Sequence, residues 1–191
     1  MEYINRKLEF ILKKVTTKQV IGFTILFLLF TGLVLPFISS YTTEMIGVSE
    51  SPDTNFSFNL IKLYNIVDSY QRDGRIFYIT MRWTFDIVWP LVYTLFLVSS
   101  IAYLSRETNC KLAIKPLYFP LLAVLFDLLE NINATIIMLL YPTRVDGFGY
   151  LLFTSSIIKW IAITISFVIV ILLTVRLIIK SFKKNTEKTS S

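Results

Sequence analysis

Residues 117–141, LYFPLLAVLFDLLENINATIIMLLY, form a single apolar run in which only Asp127 and Glu130 are charged. A helix that crosses a bilayer needs about 20 mostly apolar residues, and this run is far longer than a strand. Three other stretches meet the same criterion, at about residues 20–38, 77–104 and 150–173. The sequence therefore predicts an all-α membrane protein, a bundle of four transmembrane helices that forms one domain over residues 1–182.

The composition supports this class and excludes several kinds of chemistry. Of the 191 residues, 54% are hydrophobic and only 17% are charged, whereas soluble domains carry about 25% charged residues. The absence of histidine excludes Ser-His-Asp triads and metals or haem held by histidine. The single cysteine, Cys110, excludes an internal disulfide and a cysteine metal cluster. We expect neither a metal site nor a cofactor.

Basic residues are concentrated on one side of the predicted spans. The two tails and the connection between spans two and three hold 13 of the 19 Lys and Arg residues, and the other two connections hold 4. Because Lys and Arg favour the cytoplasmic side, we expect both termini in the cytoplasm and residues 39–76 and 142–149 outside. Span one is longer than the apolar region of a signal peptide and lacks an A-x-A-like cleavage site after it, so we expect it to be retained. The basic residues flank spans instead of forming a stripe on a folded domain. Membrane lipids, and not nucleic acid, are therefore the expected partners.

The segments outside the four spans carry weaker patterns. In residues 3–15 the apolar residues recur at helical spacing and the basic residues lie largely on the opposite face. This pattern predicts either an amphipathic helix at the membrane surface or an extension of span one. Between spans one and two, apolar residues recur at helical spacing from Phe56 to Tyr70, and Asp73-Gly74 follows as a turn signal. We expect a short outer helix there. The polar segment 183–191 is predicted to be disordered.

Five charged residues lie inside the predicted spans: Arg82, Asp86, Asp127, Glu130 and Lys159. Each costs about 2.5–3.5 kcal/mol to insert, so such residues usually face the protein interior and find partners. Counting 1.5 Å per residue from the predicted outer ends places Asp86, Glu130 and Lys159 at one level, roughly 14–17 Å deep. Asn131 follows Glu130 on the same helix face as Asp127. The simplest packing brings all of them into one interior site.

Pro90 adds a helix irregularity at the same place. Its ring conflicts with the carbonyl of the residue four positions earlier, which is Asp86. A kink there would free that carbonyl to accept a hydrogen bond beside the Asp86 carboxylate. Tyr93, one turn beyond Pro90, is positioned to supply a hydroxyl, and tryptophans at 83, 89 and 160 are positioned to supply aromatic walls.

These residues also form an ordered set of motifs: Gly74-Arg75 with Tyr78; Asp86, Pro90 and Tyr93; Pro120 before Asp127-x-x-Glu130-Asn131; Tyr141-Pro142; and Lys159-Trp160. In this the chain resembles a group of small bacterial four-span membrane proteins of uncharacterised function. The resemblance implies a four-helix bundle with a shared polar core in a bacterial cell membrane. It adds Arg75, at the outer mouth of span two, to the candidate binding residues. Arg82 is not part of the shared pattern.

Three hypotheses follow from the polar cluster, and the sequence leaves open whether the protein is an enzyme. In the first, the cluster binds or acts on a lipid or another apolar small molecule from the outer leaflet. Asp86 and Glu130 would then be acid–base candidates, because burial favours the neutral form of a carboxyl. The remaining candidates have binding roles: Lys159 or Arg82 would hold an anionic group, Asp127 and Asn131 would orient the acids, and Tyr93 and Arg75 would contribute polar contacts.

The other two hypotheses use the same residues differently. A small proton-coupled transporter would use protonation of Glu130 or Asp127, and would favour a homodimer because four spans are few for a transport path. A non-catalytic assembly protein would use the charges only to neutralise one another and to fix the register of the helices.

Overall fold

The computed structural model describes residues 2–54, 58–109 and 114–189. These residues fold into helices and connections and include no strand. The α-helices are α1 (Glu2–Lys14), α2 (Thr17–Leu29), α3 (Leu35–Ile46), α4 (Leu60–Ser69), α5 (Gln71–Trp83), α6 (Phe85–Glu107), α7 (Tyr118–Leu140) and α8 (Asp146–Thr189). A π-helical turn, Phe30–Val34, joins α2 to α3, and short 3₁₀ turns lie at Pro52–Thr54 and Lys115–Leu117.

Four helical stretches are long and apolar enough to cross a membrane: Thr17–Ile46, Gln71–Glu107, Lys115–Leu140 and Asp146–Lys183. They confirm the predicted all-α bundle of four spans, and we number them one to four in chain order. The protein is accordingly a multi-pass membrane protein. In this arrangement α2 and α3 together form span one, and α5 and α6 together form span two.

Three groups of buried apolar side chains lie one above the other along the bundle. At one end, which α4 covers and which we call the capped end, Leu63 and Val67 pack with Ile137 and Leu152. The middle group comprises Tyr93, Leu97, Ala123 and Ala162. The end that carries both termini is filled by Leu8, Ile101, Leu117 and Leu173. Along both α7 and α8, the charged residues predicted to share one site lie between the residues that belong to the first group and those that belong to the middle group.

Helix α1 is separate from span one, so it is not an extension of that span. The chain breaks after Lys14, and Thr16 caps α2 through a reciprocal pair of hydrogen bonds with Gln19. Leu8 is buried against the terminal end of the bundle. The Arg106 guanidinium donates to the carbonyl of Val15 at 2.9 Å, which satisfies a backbone acceptor just after α1. These contacts hold α1 to the base of the bundle.

Span one lies at the periphery. No residue of α2, the π turn or α3 is buried. Phe27 stacks on Phe96 with ring centroids 4.5 Å apart and lies 5.8 Å from Phe167 of span four. Nearer the capped end, Ile46 lies against Gly74 of α5. Span one therefore touches the bundle at two levels.

The turn predicted at Asp73-Gly74 is wrong. The break between the outer helix and span two falls at Tyr70, where α4 ends, and Gly74 lies inside α5. A Cβ atom at position 74 would lie 3.5 Å from Ile46 Cγ2, an ordinary van der Waals distance, so α5 and the end of span one are in contact at this glycine. Span two consequently begins at Gln71, earlier than the sequence suggests.

Other boundaries also differ from expectation. Span one extends to Ile46, where Gly47 ends it in the left-handed conformation with φ 76°. Helix α8 continues to Thr189, within the segment 183–191 for which the sequence predicts disorder. The helix predicted between spans one and two is present as α4, although Phe56 lies outside the described residues, as does Cys110.

Candidate functional site

Spans two, three and four bring the predicted charged residues together. Arg82 lies at the end of α5 and Asp86 at the start of α6, on either side of the break at Thr84. Asp127, Glu130 and Asn131 share one face of α7, and the residues at all three positions are buried. Lys159 of α8 completes the group and is also buried. The helical spacing in the sequence thus correctly predicts one interior polar site.

Arg82 is at the centre of the network. Its Nη1 atom lies 3.2 Å from Asp86 Oδ2 and 3.4 Å from Glu130 Oε1, and its Nη2 atom forms an ion pair with Asp53. The guanidinium also lies over the Tyr78 ring, 4.6 Å from the centroid. One buried cation therefore contacts three carboxylates and an aromatic face.

Lys159 links the two carboxylates of α7. Its Nζ atom donates to Glu130 Oε1 at 2.7 Å and lies 3.6 Å from Asp127 Oδ1. The second oxygen of Asp127 accepts a hydrogen bond from the Tyr93 hydroxyl at 3.0 Å. In contrast, Glu130 Oε2 is buried and has no hydrogen-bond partner among the described residues.

The backbone irregularity at Pro90 is part of the site, as the sequence predicts. Pro90 lies inside α6 and has no N–H to donate to the Asp86 carbonyl. The Asn131 side-chain amide takes that place, donating to the Asp86 carbonyl at 3.2 Å and to the Arg82 carbonyl at 3.3 Å. Its own oxygen accepts from Arg82 Nη1 at 3.3 Å. Asn131 thereby satisfies the open backbone of span two and orients Arg82.

Asp53 is a member of the site that sequence reasoning missed. The 3₁₀ turn at Pro52–Thr54 brings it over Arg82, and its carboxylate also accepts hydrogen bonds from Tyr78, at 3.2 Å, and from Ser51. Pro52 beside it is fully buried. The only local signal is Ser51-Pro52-Asp53, which is typical of any turn. Its pairing with Arg82 depends on tertiary packing.

The surroundings of Asp53 favour its charged form. Burial alone would raise the pKa of this carboxyl, but the charges of Arg82 and Lys159 and the hydrogen bonds from Arg82 and Ser51 lower it well below 3.8. The neighbouring Tyr70 has a pKa raised to about 12, mainly by burial, and its hydroxyl donates to the Glu50 carbonyl at 2.8 Å. The Asp53–Arg82 ion pair and the Tyr70–Glu50 hydrogen bond hold the segment 48–54, which we call the outer segment, against the bundle.

We therefore expect the outer segment to stay docked well into the acid range. A carboxyl whose pKa is lowered on folding stabilises the folded state above its ordinary pKa, and the contribution is lost as the pH falls through the folded value. A nitroxide at Ser49→Cys in a Cys110→Ser background should give a pH-independent spectrum from pH 7 to about pH 4 and become mobile only below that. When Asp53→Asn is added, the nitroxide at position 49 should be mobile over the whole pH range. A label at Ile61→Cys, on the exposed face of α4, is the control. Mobilisation of the Ser49→Cys label between about pH 7 and 5 would contradict the docking.

A cavity of about 380 Å³ lies against this network. It is lined by span one, the outer segment, span two and the charged face of spans three and four, and it is open on one side. Its polar lining includes Asp53, Arg82, Asp86, Asp127 and Lys159, together with the span-one hydroxyls of Ser39, Thr42 and Thr43. Its apolar lining includes Leu35, Ile38, Met81, Phe85, Trp89 and Trp160. The volume is within the usual range of small-molecule sites.

The predicted site residues fall into three groups by their position relative to this cavity. Asp86, Asp127, Arg82 and Lys159 line it. Glu130, Asn131 and Tyr93 lie behind that layer and hold it through the contacts described above. Arg75 is not in the cluster, because its guanidinium lies over the Tyr141 ring at 4.7 Å, near the capped end. Among the described residues, no group of three His, Cys, Asp or Glu side chains is arranged to hold a metal ion.

No protein-family model, curated protein or solved structure matches this chain.

Proposed function

We propose that this protein binds a lipid or another apolar small molecule in the cavity between span one and the charged face of the bundle. The observation that carries the proposal is the cavity itself, which combines a charged floor with walls of Leu35, Ile38, Phe85 and tryptophans. A site for a purely polar solute would not need so much apolar lining. Span one, the least buried of the four spans, forms one wall and faces the lipid on its other side.

The proposed direction of access is the outer leaflet of a bacterial cell membrane. The excess of Lys and Arg in both tails and in the connection between spans two and three favours a cytoplasmic location for both termini. The cavity is lined by the outer segment and by the part of span one nearest to it, so this orientation directs it away from the cytoplasm. The bacterial location follows from the resemblance of the motifs alone.

The extent of the polar network supports a binding site over a transport path. Contacts between polar groups run from Asp53 through Arg82, Glu130 and Lys159 to Asp127 and Tyr93. Beyond Tyr93, the middle of the bundle is filled by the buried side chains of Leu97, Ala123 and Ala162. In this conformation the polar network contacts the cavity but does not continue through the middle of the bundle.

The two acid–base candidates differ in their access to a bound molecule. Asp86 lines the cavity, whereas Glu130 is fully buried behind Arg82 and Lys159. If the bound molecule is also a substrate, Asp86 is the carboxyl able to exchange a proton with it. Glu130 would then act by positioning the two cations.

A substitution that fills the cavity from span one tests the proposal without altering the ionic network. Thr42 lines the cavity, so Thr42→Trp should displace an occupant. Phe37→Trp, on the exposed face of the same helix, is the matched control. Native mass spectrometry in mild detergent, with identification of extracted lipids, should show about one bound molecule per chain in the wild type and the control, and a several-fold lower occupancy in Thr42→Trp. Equal occupancy in all three proteins, or none in the wild type, would contradict the proposal.

A further inference from the structure

We infer that the occupant of the cavity carries a positively charged group, an amine or a quaternary ammonium, which lies against Asp86. This inference rests on the proposed function and names the chemical class of the ligand. It differs from the expectation drawn from the sequence, in which Lys159 or Arg82 would hold an anionic group.

The balance of charge in the site favours a cationic occupant. The site contains four carboxyl groups, at positions 53, 86, 127 and 130, and two cations, Arg82 and Lys159. Arg82 contacts three carboxylates and Lys159 contacts two, so both cations that line the cavity are already engaged. Because the carboxyls outnumber the cations, an anionic headgroup would add to an existing excess of acid. A cationic group would reduce it.

Asp86 is the most accessible carboxylate of the site. Its side chain is 26% exposed, compared with 17% for Asp53, 6% for Asp127 and none for Glu130. Its only ion pair within the described part of the chain is made through Oδ2, at 3.2 Å from Arg82. Deeper in the site, Glu130 Oε2 is buried and has no hydrogen-bond partner among the described residues. A molecule in the cavity can thus reach Asp86 more readily than the other three carboxylates.

Aromatic side chains lie around Asp86 in the lining of the cavity. Phe85 is next to it in the chain and Trp89 is one helical turn away on α6. Trp160 lines the same cavity from span four, and Lys159 Nζ already lies 5.6 Å from the centre of its ring. Trp89 is held by stacking against Phe27 and Phe30, with centroids 5.8 and 6.1 Å away. Tryptophan faces attract cations, with strength that increases when the pair is desolvated. A carboxylate beside aromatic rings is the usual chemistry for recognition of an alkylammonium group.

Three probes with the same eight-carbon chain separate the charge of the headgroup from the apolar contribution: octyltrimethylammonium, octanol and octyl sulfate. Each is titrated into the protein in lipid nanodiscs below its micelle concentration, with empty nanodiscs subtracted. Binding is followed calorimetrically and by tryptophan emission. We expect octyltrimethylammonium to bind about tenfold or more tightly than the other two. Asp86→Asn should abolish this preference, and Asp86→Glu should retain most of it.

Controls separate the inference from the proposed function. Glu50→Gln removes one negative charge from an exposed position outside the cavity, so it should leave the preference unchanged. Size-exclusion profiles and melting curves establish that each variant is folded before it is titrated. Equal binding of the three probes, or a preference that survives Asp86→Asn, overturns the inference and leaves the proposed function in place. Absence of binding by every probe overturns the inference, and it contradicts the proposed function as well if Thr42→Trp leaves lipid occupancy unchanged.

Discussion

Lys159→Met should lower the free energy of unfolding by roughly 3–5 kcal/mol, the cost that follows when one partner of a buried ion pair is removed. Methionine preserves most of the side-chain volume, so the loss is mainly electrostatic. Without the ammonium, Glu130 Oε1 retains only the longer contact to Arg82, at 3.4 Å, and Asp127 retains only the Tyr93 hydroxyl. The measurement is a denaturant titration of the purified protein in mixed micelles, together with its melting curve.

Two variants make this result interpretable. Lys62→Met removes a half-exposed lysine that lies 3.7 Å from Glu50, and such a surface pair contributes about 1 kcal/mol or less. Adding Glu130→Gln to Lys159→Met removes the unpaired carboxylate and should recover a substantial part of the lost stability. If Lys159→Met is no more damaging than Lys62→Met, or if Glu130→Gln gives no recovery, the charges do not interact in the folded protein as the structure indicates.

The spans and the level of the charged residues could be predicted because they follow from local rules. Hydropathy over a window of helical length identifies the four spans, and a constant rise per residue places Asp86, Glu130 and Lys159 at one depth. The relation between Pro90 and the Asp86 carbonyl is also local, since it involves residues four apart on one helix. None of these inferences requires knowledge of which helices are neighbours.

The role of Asp53 could not be predicted, because it arises from packing between segments distant in the chain. A polar turn in a connection between spans normally faces water, and nothing in Ser51-Pro52-Asp53 indicates otherwise. Only when α5, α7 and the outer segment are assembled does the turn come to lie over Arg82. The resemblance did not help, since Arg82 is outside the shared motifs although it is central to the network.

The length of span one illustrates a different difficulty. Residues 39–43, SSYTT, lower the local hydropathy, so the sequence suggests that the span ends at about residue 38. The helix nevertheless continues to Ile46, and the Thr43 hydroxyl donates to the Ser39 carbonyl at 2.9 Å within the helix. Hydroxyls satisfied in this way are compatible with a helix in an apolar environment. The cavity therefore gains the hydroxyl-bearing wall that a shorter span would not have supplied.

The second large effect is expected at Asn131. Asn131→Leu should cost about 2–4 kcal/mol, because it leaves two backbone carbonyls and one donor of Arg82 without the amide that pairs with them. The cost should depend on Pro90, since the Asp86 carbonyl needs Asn131 only because residue 90 has no N–H. In a Pro90→Ala background the alanine N–H can donate to that carbonyl within α6. The penalty of Asn131→Leu should then fall by about 1 kcal/mol.

A double-mutant cycle with Pro36→Ala provides the reference for this coupling. Pro36 lies in α3 of span one, on a different helix from the Asp86 carbonyl, so its replacement should combine additively with Asn131→Leu to within about 0.5 kcal/mol. Unfolding free energies of the six proteins in the two cycles give both coupling terms directly. Equal additivity in the two cycles would show that Asn131 does not substitute for the missing helical hydrogen bond. A coupling confined to the Pro90 cycle would instead identify Asn131 as the residue that allows an interrupted helix to position Asp86 and Arg82 at the cavity.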